Sequence, residues 1–507
     1  MNKVNQLRAG VLLTYVNMGL GTIIPMFYTP VMLRILGQEE YGLYSLSSSV
    51  ISYLTLLSFG LGGTIVRYIS KYRAEGKIIE LEKMAGMALL LYSFLAILVM
   101  IGGGFLSNNV EPIFQRGLTE GELVKIKPLI LLMAFNTAIS FPISVFSSII
   151  VAYEKFIYRQ LVNILATVFA PCANLVALYM GYGSIGLALT STILQFMMLP
   201  LYGIYCYRNL KIRPRFRNLP IHLLKEIGKF SFYVFLGSVV DMLFWATDKV
   251  ILGMLAGTSV VAIYNIGSQF NNIFTNLSTA FSSVLTPRTT IMVANKKSDN
   301  ELTELFIRVG RMQYILIALA LSGFIVFGKD FIELWAGADY IEAYYIALVT
   351  LIPLTIPLIQ NTGYSILLAE NKHKFRSIVY LIIAIANMIS TYAVVPYLGG
   401  FGAALCSGIS YIIGQGIIMN IYYYKVIKIG IPQFWKNIGK LSIIPAILTI
   451  VGLYIQRLAD VNSWGRLFIE IIIYTLCYCS LMYFISFNTY EKEVIRKPVE
   501  KFGVKLR

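Results

Sequence analysis

The sequence predicts an all-α integral membrane protein of about fourteen transmembrane helices, in two parallel-related six-helix lobes followed by two C-terminal helices. Three observations predict this fold. Of the 507 residues, 57% are hydrophobic and only 13% are charged, about half the charged share of a soluble domain. Apolar runs long enough to cross a bilayer recur along the chain. Finally, two short sequences recur at nearly the same offset, which indicates an internal duplication.

The apolar runs define six spans in residues 1–210, six in residues 211–428 and two in residues 429–507. These ranges are the predicted N-lobe, C-lobe and C-terminal region with its cytoplasmic tail. Numbered as spans 1 to 14, the runs are Val11–Leu36, Leu43–Val66, Met84–Leu106, Leu129–Val151, Leu161–Met180, Ile185–Cys206, Phe230–Leu255, Val260–Leu285, Met312–Trp335, Ala343–Leu367, Ile378–Pro396, Ala403–Tyr423, Leu441–Ile455 and Leu467–Phe487.

The positive charge of the chain fixes the predicted orientation. The 42 Lys and Arg exceed the 25 Asp and Glu, giving a net charge of +17. With these spans, about four fifths of the basic residues fall on the amino-terminal side, as the positive-inside rule requires of cytoplasmic loops. We therefore expect a multi-pass protein with both termini in the cytoplasm. The charge reflects topology and membrane lipids, and we expect no nucleic acid partner.

The duplication relates spans 1–6 to spans 7–12. GQEEYGLY (Gly37–Tyr44) matches GTSVVAIY (Gly257–Tyr264) at Gly and Tyr, and GSIGLALTS (Gly183–Ser191) matches GGFGAALCS (Gly399–Ser407). Because each half has an even number of spans, both lobes share one orientation in the membrane.

Enzyme motifs are missing from the sequence. It has no Walker loop, no HExxH and no Ser/His/Asp grouping, and the GxGxxG pattern Gly181, Gly183 and Gly186 links two membrane spans instead of a strand and a helix. We expect neither an enzyme nor a bound cofactor or metal. Transport would then use the membrane potential, removal of the product, or coupling to H⁺ or Na⁺.

Spans 2 and 8 carry polar side chains at helical spacing. Span 8 includes Asn272 and Asn276, which we take as candidate cavity residues together with the serines of span 2. A polar face cannot be exposed to lipid, so it faces either a wet cavity or another helix. The alternative is interhelical hydrogen bonding, for which membrane helices use the same residue types.

Span 7 contains three ionisable residues, Asp241, Asp248 and Lys249. Intramembrane charges are costly and are functional candidates by default. Asp241 and Asp248 are seven residues apart, so a continuous helix would place them on one face as a polar stripe. A buried structural ion pair is the alternative to a transport role.

Three arginines flank the spans. Arg67 and Arg288 follow spans 2 and 8 at nearly the repeat offset, and Arg34 closes span 1 on the opposite side. Paired guanidinium groups are suited to binding a phosphate or pyrophosphate. The topology bias alone is the alternative explanation of Arg67 and Arg288.

Several stretches resemble the polysaccharide and O-antigen flippases of the multidrug, oligosaccharidyl-lipid and polysaccharide exporter superfamily. The resemblance extends over most of the chain and implies the two-lobed, MATE-like fold with two added helices. The stretches are PVMLRILGQEEYGLYSL in spans 1 and 2, SFGLGGTIVRYISKY at the end of span 2, ATDKVILGMLAG in span 7, LTPR after span 8, and ENKHKFR leading into NMISTYAVVPYLGGFGAA.

The resemblance implies alternating-access transport of an undecaprenyl-pyrophosphate-linked oligosaccharide to the outer leaflet of a bacterial plasma membrane, for surface polysaccharide assembly. Its charged cavity residues correspond to Arg34, Arg67, Asp248 and Lys249, with Asp241 and Arg288 as further members. The alternatives are a cation-coupled drug antiporter of the same superfamily and a membrane glycosyltransferase or polymerase. Span 1 has no further cationic residue deep in the membrane, which argues against lipid II as the substrate. We expect a monomer.

Overall fold

The structure, a computed structural model, describes residues 3–220, 223–294, 298–370, 372–458 and 463–501. All regular elements within these ranges are helical. The chain divides into two compact units. Unit 1 comprises Met1–Asn265 and Thr391–Gly400, and unit 2 comprises Ile266–Ser390 and Phe401–Arg507. The predicted lobe boundaries stay a prediction.

Nine helices of unit 1 precede the point where the chain passes into unit 2. The first of them joins spans 1 and 2, and the last two share span 7. They are α1 (Lys3–Thr55), α2 (Leu61–Ala74), α3 (Ile78–Asn108), α4 (Val110–Phe114), α5 (Glu120–Ala152), α6 (Phe156–Tyr179), α7 (Gly183–Arg208), α8 (Leu223–Trp245) and α9 (Thr247–Leu255).

The remaining helices begin with α10, which passes from unit 1 into unit 2. Short 3₁₀ or π-helical segments extend three of these helices: Ala338–Tyr340, Ile412–Met419 and Met482–Ser486. The helices are α10 (Thr258–Ala294), α11 (Asp299–Ala336), α12 (Glu342–Ile359), α13 (Asn361–Ala369), α14 (His373–Tyr411), α15 (Asn420–Lys425), α16 (Ile431–Leu458), α17 (Trp464–Leu481) and α18 (Thr489–Lys501).

Ten helical stretches of the described chain are long and apolar enough to cross a membrane, so the chain is a multi-pass membrane protein. Two of them are far longer than one crossing needs: Ala9–Ala74 has 66 residues and Lys374–Lys425 has 52. A straight helix of the former length would extend about 100 Å, over three times the hydrocarbon core. Each of these stretches is therefore long enough for more than one crossing.

Glycines with positive φ interrupt the two long helices. Gly37 in α1 has φ +76° and Gly399 in α14 has φ +52°. Their partners in the repeated sequences adopt the same left-handed region, with φ +93° at Gly257 and +54° at Gly183. Only glycine enters this region without a steric penalty. The repeated motifs therefore encode repeated backbone geometry.

Three predicted spans are interrupted where the sequence suggested a continuous helix. Span 2 breaks between α1 and α2, where Phe59 and Gly60 are both left-handed. Span 7 breaks at Ala246, and span 10 breaks at Gln360 after Pro357. Hydrophobicity detects a span but not a local change in φ and ψ, which explains why these breaks were not predicted.

Each unit has its own packing centre. In unit 1, α3 and α5 pack together with α2 and α7 around fully buried Ile69, Leu81 and Met84. In unit 2, α11 packs against α12, α16 and α17. Buried Arg311 of α11 binds both carboxylate oxygens of Glu491, at 2.6 and 2.8 Å, which fastens α18 to this unit.

The contact between α1 and α10 in unit 1 depends on Gly42. A Cβ atom at this position would lie 1.9 Å from the backbone oxygen of Thr258, which cannot move without shifting α10. We expect Gly42→Ala to destabilise the protein by about 1–3 kcal/mol, the usual cost of overpacking. Thermal unfolding of the detergent-purified protein measures this effect. The control is Gly63→Ala, whose Cβ meets open space; equal melting of both variants would contradict the prediction.

Candidate functional site

Among the polar clusters of unit 1, two involve predicted site residues or their neighbours, and they differ in whether their hydrogen bonds are satisfied. The first, here the buried network, consists of Tyr41, Ser45, Asp248, Lys249, Tyr264, Asn265 and Thr391. The second is an open polar cavity between α1, α5 and α7. They are described in turn because they have different chemical capacities.

Asp248 lies at the centre of the buried network and is 1% exposed. The Tyr264 hydroxyl donates to its Oδ2 at 2.6 Å, and the Thr391 hydroxyl donates to its Oδ1 at 3.4 Å. Asp248 is also in the first turn of α9, where the helix dipole favours a negative charge. The carboxylate therefore has hydrogen-bond donors from α10 and α14.

Lys249 continues the network towards α1. Its Nζ donates to Asn265 Oδ1 at 2.6 Å. Asn265 Nδ2 in turn donates to the Tyr41 hydroxyl at 2.7 Å and to Ser45 Oγ at 3.1 Å. Each charge thus finds polar partners inside unit 1, which offsets the cost of its burial without a substrate. This geometry favours the structural alternative, and a substrate-binding role of Asp248 and Lys249 stays a prediction.

Asp241 lies in different surroundings from Asp248. Its side chain is exposed, whereas that of Asp248 is buried. The two residues belong to different helices because the chain leaves regular helix at Ala246, between α8 and α9. The expectation of one continuous polar stripe along span 7 is therefore wrong. The seven-residue spacing places residues on one face only when the helix is unbroken.

The polar cavity has a volume of 220 Å³ and opens to the surface of unit 1. Its hydroxyl and amide groups come from three helices, and none of its described lining residues is charged. It is lined by Tyr44, Ser48, Ile51, Ser52 and Thr55 of α1, Met133, Asn136 and Thr137 of α5, and Ala188 and Ser191 of α7. By volume it holds about seven waters, which suits part of a ligand such as a single sugar ring.

Asn136 gives this cavity an unsatisfied acceptor. Its Oδ1 is buried and accepts no hydrogen bond from the residues that the structure describes. A buried acceptor without a donor costs about 1–3 kcal/mol. By contrast, the hydroxyls of Ser52, Thr55 and Thr137 already donate to backbone oxygens of their own helices. The cavity is thus rich in acceptors and is suited to a ligand that brings hydroxyl donors.

In unit 2, α10 has two polar faces, one that packs against other helices and one that is exposed. Asn271, Ser278 and Ser282 lie on one face and form hydrogen bonds with α11, α12 and α13. Thr350 donates to Asn271 at 3.0 Å, Gln313 donates to Ser282 at 2.5 Å, and Asn361 donates to Ser278 at 2.8 Å. Part of the polar character of span 8 therefore serves interhelical packing.

The other polar face of α10 is exposed. It carries Asn272, Asn276 and Thr279, spaced by four and three residues so that they share one side of the helix. Both predicted cavity residues of span 8, Asn272 and Asn276, thus lie on the exposed side. Packing within unit 2 does not account for these amides.

The three predicted arginines belong to three different helices. Arg34 in α1 and Arg67 in α2 both have exposed side chains. Arg288 belongs to α10, but its side chain lies outside the described part of the chain. The proposed binding of phosphate by these residues stays a prediction.

Sequence reasoning missed Asn136, Thr137 and Ser191. Asn136 is the single amide of span 4, and this was a usable signal. The cost of burying an unsatisfied polar group applies to amides as well as to charges. This rule was applied to the charges and to the polar faces of spans 2 and 8, but not to the single amide of span 4.

Comparison with known families places these features in context. Residues 7–293, more than half of the chain, match the family described as polysaccharide biosynthesis protein. The chain is 22% identical over 500 residues to the uncharacterized membrane protein EpsK of Bacillus subtilis, covering 95% of this chain and 96% of that protein. It is 21% identical to the uncharacterized membrane protein MJ1068 of Methanocaldococcus jannaschii, over 89% and 91% of the two chains.

Solved structures share the fold. The lipid II flippase MurJ in an inward closed conformation superposes with a TM-score of 0.72 and 18% identity, covering 96% of this chain and 100% of that chain. An inward-facing multidrug resistance MATE family transporter superposes with a TM-score of 0.63 and 13% identity, over 84% and 98%. At these identities the likeness shows a MurJ- and MATE-like fold alone.

Proposed function

The chain belongs to the polysaccharide biosynthesis protein family, and we propose on that premise that it is a flippase for a lipid-linked oligosaccharide. Its substrate is an oligosaccharide on undecaprenyl pyrophosphate, moved from the cytoplasmic to the outer leaflet of a bacterial plasma membrane for surface polysaccharide assembly. The protein works as a monomer without enzymatic chemistry or a bound cofactor. Transport uses alternating access, and H⁺ or Na⁺ is the candidate coupling ion.

The polar cavity carries this proposal. A glycan crossing the membrane needs hydrogen-bonding groups in place of water, because hydrocarbon offers none. Neutral hydroxyl and amide groups suit sugar hydroxyls, and Asn136, one of the lining residues, has an Oδ1 that is not satisfied within the described part of the chain. A carrier of organic cations would instead favour an acidic lining, and the polar cavity has no carboxylate.

The helix bounds support fourteen crossings in the predicted arrangement. Ten stretches qualify by length and hydrophobicity, and the two longest each divide at a glycine, Gly37 or Gly399. The pair α8 and α9 and the polar helix α10 supply the remaining crossings. This count and the charge bias support our proposal of two six-helix lobes with added α16 and α17 and with cytoplasmic termini.

We assign distinct regions to the parts of the substrate. The polar cavity of unit 1 binds part of the glycan, and the exposed amide face of α10 is a second candidate region for glycan binding. The pyrophosphate enters near Arg67 and Arg288, and the polyprenyl tail stays in lipid. Outward movement of the anionic group is favoured by an inside-negative potential, at about 2.3 kcal/mol per charge per 100 mV.

Reconstitution tests the proposal directly. Proteoliposomes containing the purified chain and a fluorescent undecaprenyl-pyrophosphate oligosaccharide should deliver the glycan to the opposite leaflet, where a membrane-impermeant glycosidase trims it. We expect Arg67→Ala to slow this transfer at least ten-fold, because it removes a bidentate phosphate partner. The control is Lys77→Ala, which removes a cation of an exposed pair with Glu75 on the same predicted side.

The outcomes separate the candidate functions. Protein-independent trimming, or equal rates for wild-type and empty vesicles, would contradict flipping. Cation-dependent drug resistance on expression, with no loss of surface glycan on deletion, would select the antiporter alternative. Elongation of the glycan by the purified chain with sugar donors would select a glycosyltransferase or polymerase.

A further inference from the structure

Unit 2 contains a second polar cavity, which the transport proposal does not use. It has a volume of 620 Å³ and lies where α11 and α16 end and α12 begins. We call it the outer pocket, because the predicted topology places these helix ends on the external side. The side chains that decide its chemistry are Lys329, Asp330, Glu333, Tyr344, Gln456 and Arg457.

The outer pocket lies along the last turns of α11 and α16. Lys329 precedes the end of α11 at Ala336 by seven residues, or about 10 Å along the helix axis. Glu333 lies one turn further along, and Arg457 is the penultimate residue of α16. Ionisable residues gathered around one cavity make it a candidate for binding a charged ligand.

The outer pocket carries equal numbers of positive and negative side chains. Lys329 and Arg457 supply two cations, and Asp330 and Glu333 supply two carboxylates. Among the described residues, no ion pair engages Lys329, Glu333 or Arg457. The neighbouring Glu470 differs, since Arg466 binds it at 2.9 Å and Gln456 donates to it at 3.0 Å. The balance favours a zwitterionic ligand, because the carboxylates would repel a purely anionic one.

The walls of the outer pocket are fixed, and one side continues into lipid. The Tyr344 hydroxyl donates to the backbone oxygen of Ile325 at 2.7 Å, which fastens α12 to α11. Leu453 lines the outer pocket and is 39% exposed. It belongs to an exposed apolar surface of α16, with Ile450 at 68% and Tyr454 at 65%. A ligand can therefore place a charged group inside while its acyl chains follow α16.

We propose that the outer pocket binds the headgroup of a membrane phospholipid that combines a phosphate with a primary amine, as in phosphatidylethanolamine. Lys329 and Arg457 bind the phosphate through charge-assisted hydrogen bonds. The ammonium group donates up to three hydrogen bonds, which Asp330 and Glu333 accept. A choline headgroup has no N–H to donate and binds instead in aromatic cages, whereas Tyr344 is the one aromatic side chain lining this pocket.

Native mass spectrometry of the full chain in detergent tests the proposal. The protein is incubated with equimolar phosphatidylethanolamine, phosphatidylcholine and phosphatidylglycerol of identical acyl composition. We expect the ethanolamine lipid to be retained at least ten-fold over the other two. Soluble phosphoethanolamine should bind at least ten-fold more weakly than the lipid, because it lacks the chains that contact α16.

Two variants assign the retained lipid to the outer pocket. Asp330→Asn with Glu333→Gln should abolish the preference for ethanolamine over choline, because the amides carry no charge to attract the ammonium. Lys329→Gln with Arg457→Gln should reduce retention of all three lipids. The control, Glu111→Gln with Lys127→Gln, removes an exposed charge pair in unit 1 on the same predicted side of the membrane.

Three results would overturn the proposal. Equal retention of the ethanolamine and choline lipids would exclude recognition of the amine. A preference for phosphatidylglycerol would make the outer pocket an anion site. Retention unchanged in both outer-pocket variants would place the lipid elsewhere. None of these results bears on transport, since the outer pocket and the polar cavity have no lining residue in common.

Discussion

A protein carrying Ser48→Leu and Asn136→Leu is expected to reach the membrane in normal amounts and to lose at least nine tenths of its glycan export. Both residues line the polar cavity, and Ser48 is exposed to it. Two leucines fill the space and remove the Asn136 acceptor, so a sugar would lose both room and a hydrogen bond. A loss of ten-fold corresponds to about 1.4 kcal/mol, within the cost of one unmet hydrogen bond.

The measurement is surface glycan in a deletion strain that expresses the variant, normalised to protein in the membrane. Removing the buried, unsatisfied Oδ1 of Asn136 should leave stability unchanged or slightly raised, which separates this effect from misfolding. The control is Ser48→Ala, which keeps the cavity open and should retain export within about three-fold. Export at the wild-type level in the double leucine variant would remove the polar cavity from the transport path.

Asp248→Ala is expected to destabilise unit 1 by about 3–5 kcal/mol, the cost of removing one partner from a buried charged network. The substitution removes the acceptor for Tyr264 and Thr391 and leaves the Lys249 charge buried beside a new cavity. We expect a large fall in the amount of folded protein, seen as loss of the monodisperse peak in fluorescence-detected size exclusion. Thermal unfolding of the remaining fraction gives the magnitude.

A second substitution distinguishes packing from transport. In Asp248→Ala with Lys249→Met, no unpaired charge remains, so folded protein should return to near its normal amount. If the buried network is structural, export returns with it. If Lys249 contacts the pyrophosphate, the double variant folds but does not export. Full stability of Asp248→Ala alone would contradict the structural assignment.

The spans could be predicted because bilayer thickness sets a length that apolar runs must meet. Gly37 and Gly399 mark reversals because positive φ is open to glycine alone at low cost. The breaks at Ala246 and Gln360 have no comparable signal, since neither residue favours a break. Backbone interruptions in membrane helices arise where neighbouring helices re-satisfy the freed groups, which one segment of sequence does not reveal.

The candidate site was predictable in type but only partly in position. Periodicity identified polar faces on spans 2 and 8, yet Asn271 binds a neighbouring helix while the adjacent Asn272 is exposed. Adjacent residues lie on different sides of a helix, and tertiary packing determines which side contacts a neighbouring helix. Asp241 and Asp248 illustrate the same limit, because burial depends on what surrounds each carboxylate.

The two polar faces of α10 place one segment under two selective pressures. Asn271, Ser278 and Ser282 are tied to partners on other helices, so replacements there require compensating changes at those partners. Asn272, Asn276 and Thr279 lie on the exposed side, so they can be replaced without compensating changes as the transported glycan changes. Among related transporters with different substrates, sequence variation along this segment should therefore have helical periodicity. The side that packs against other helices should stay constant, and the exposed side should vary with the substrate.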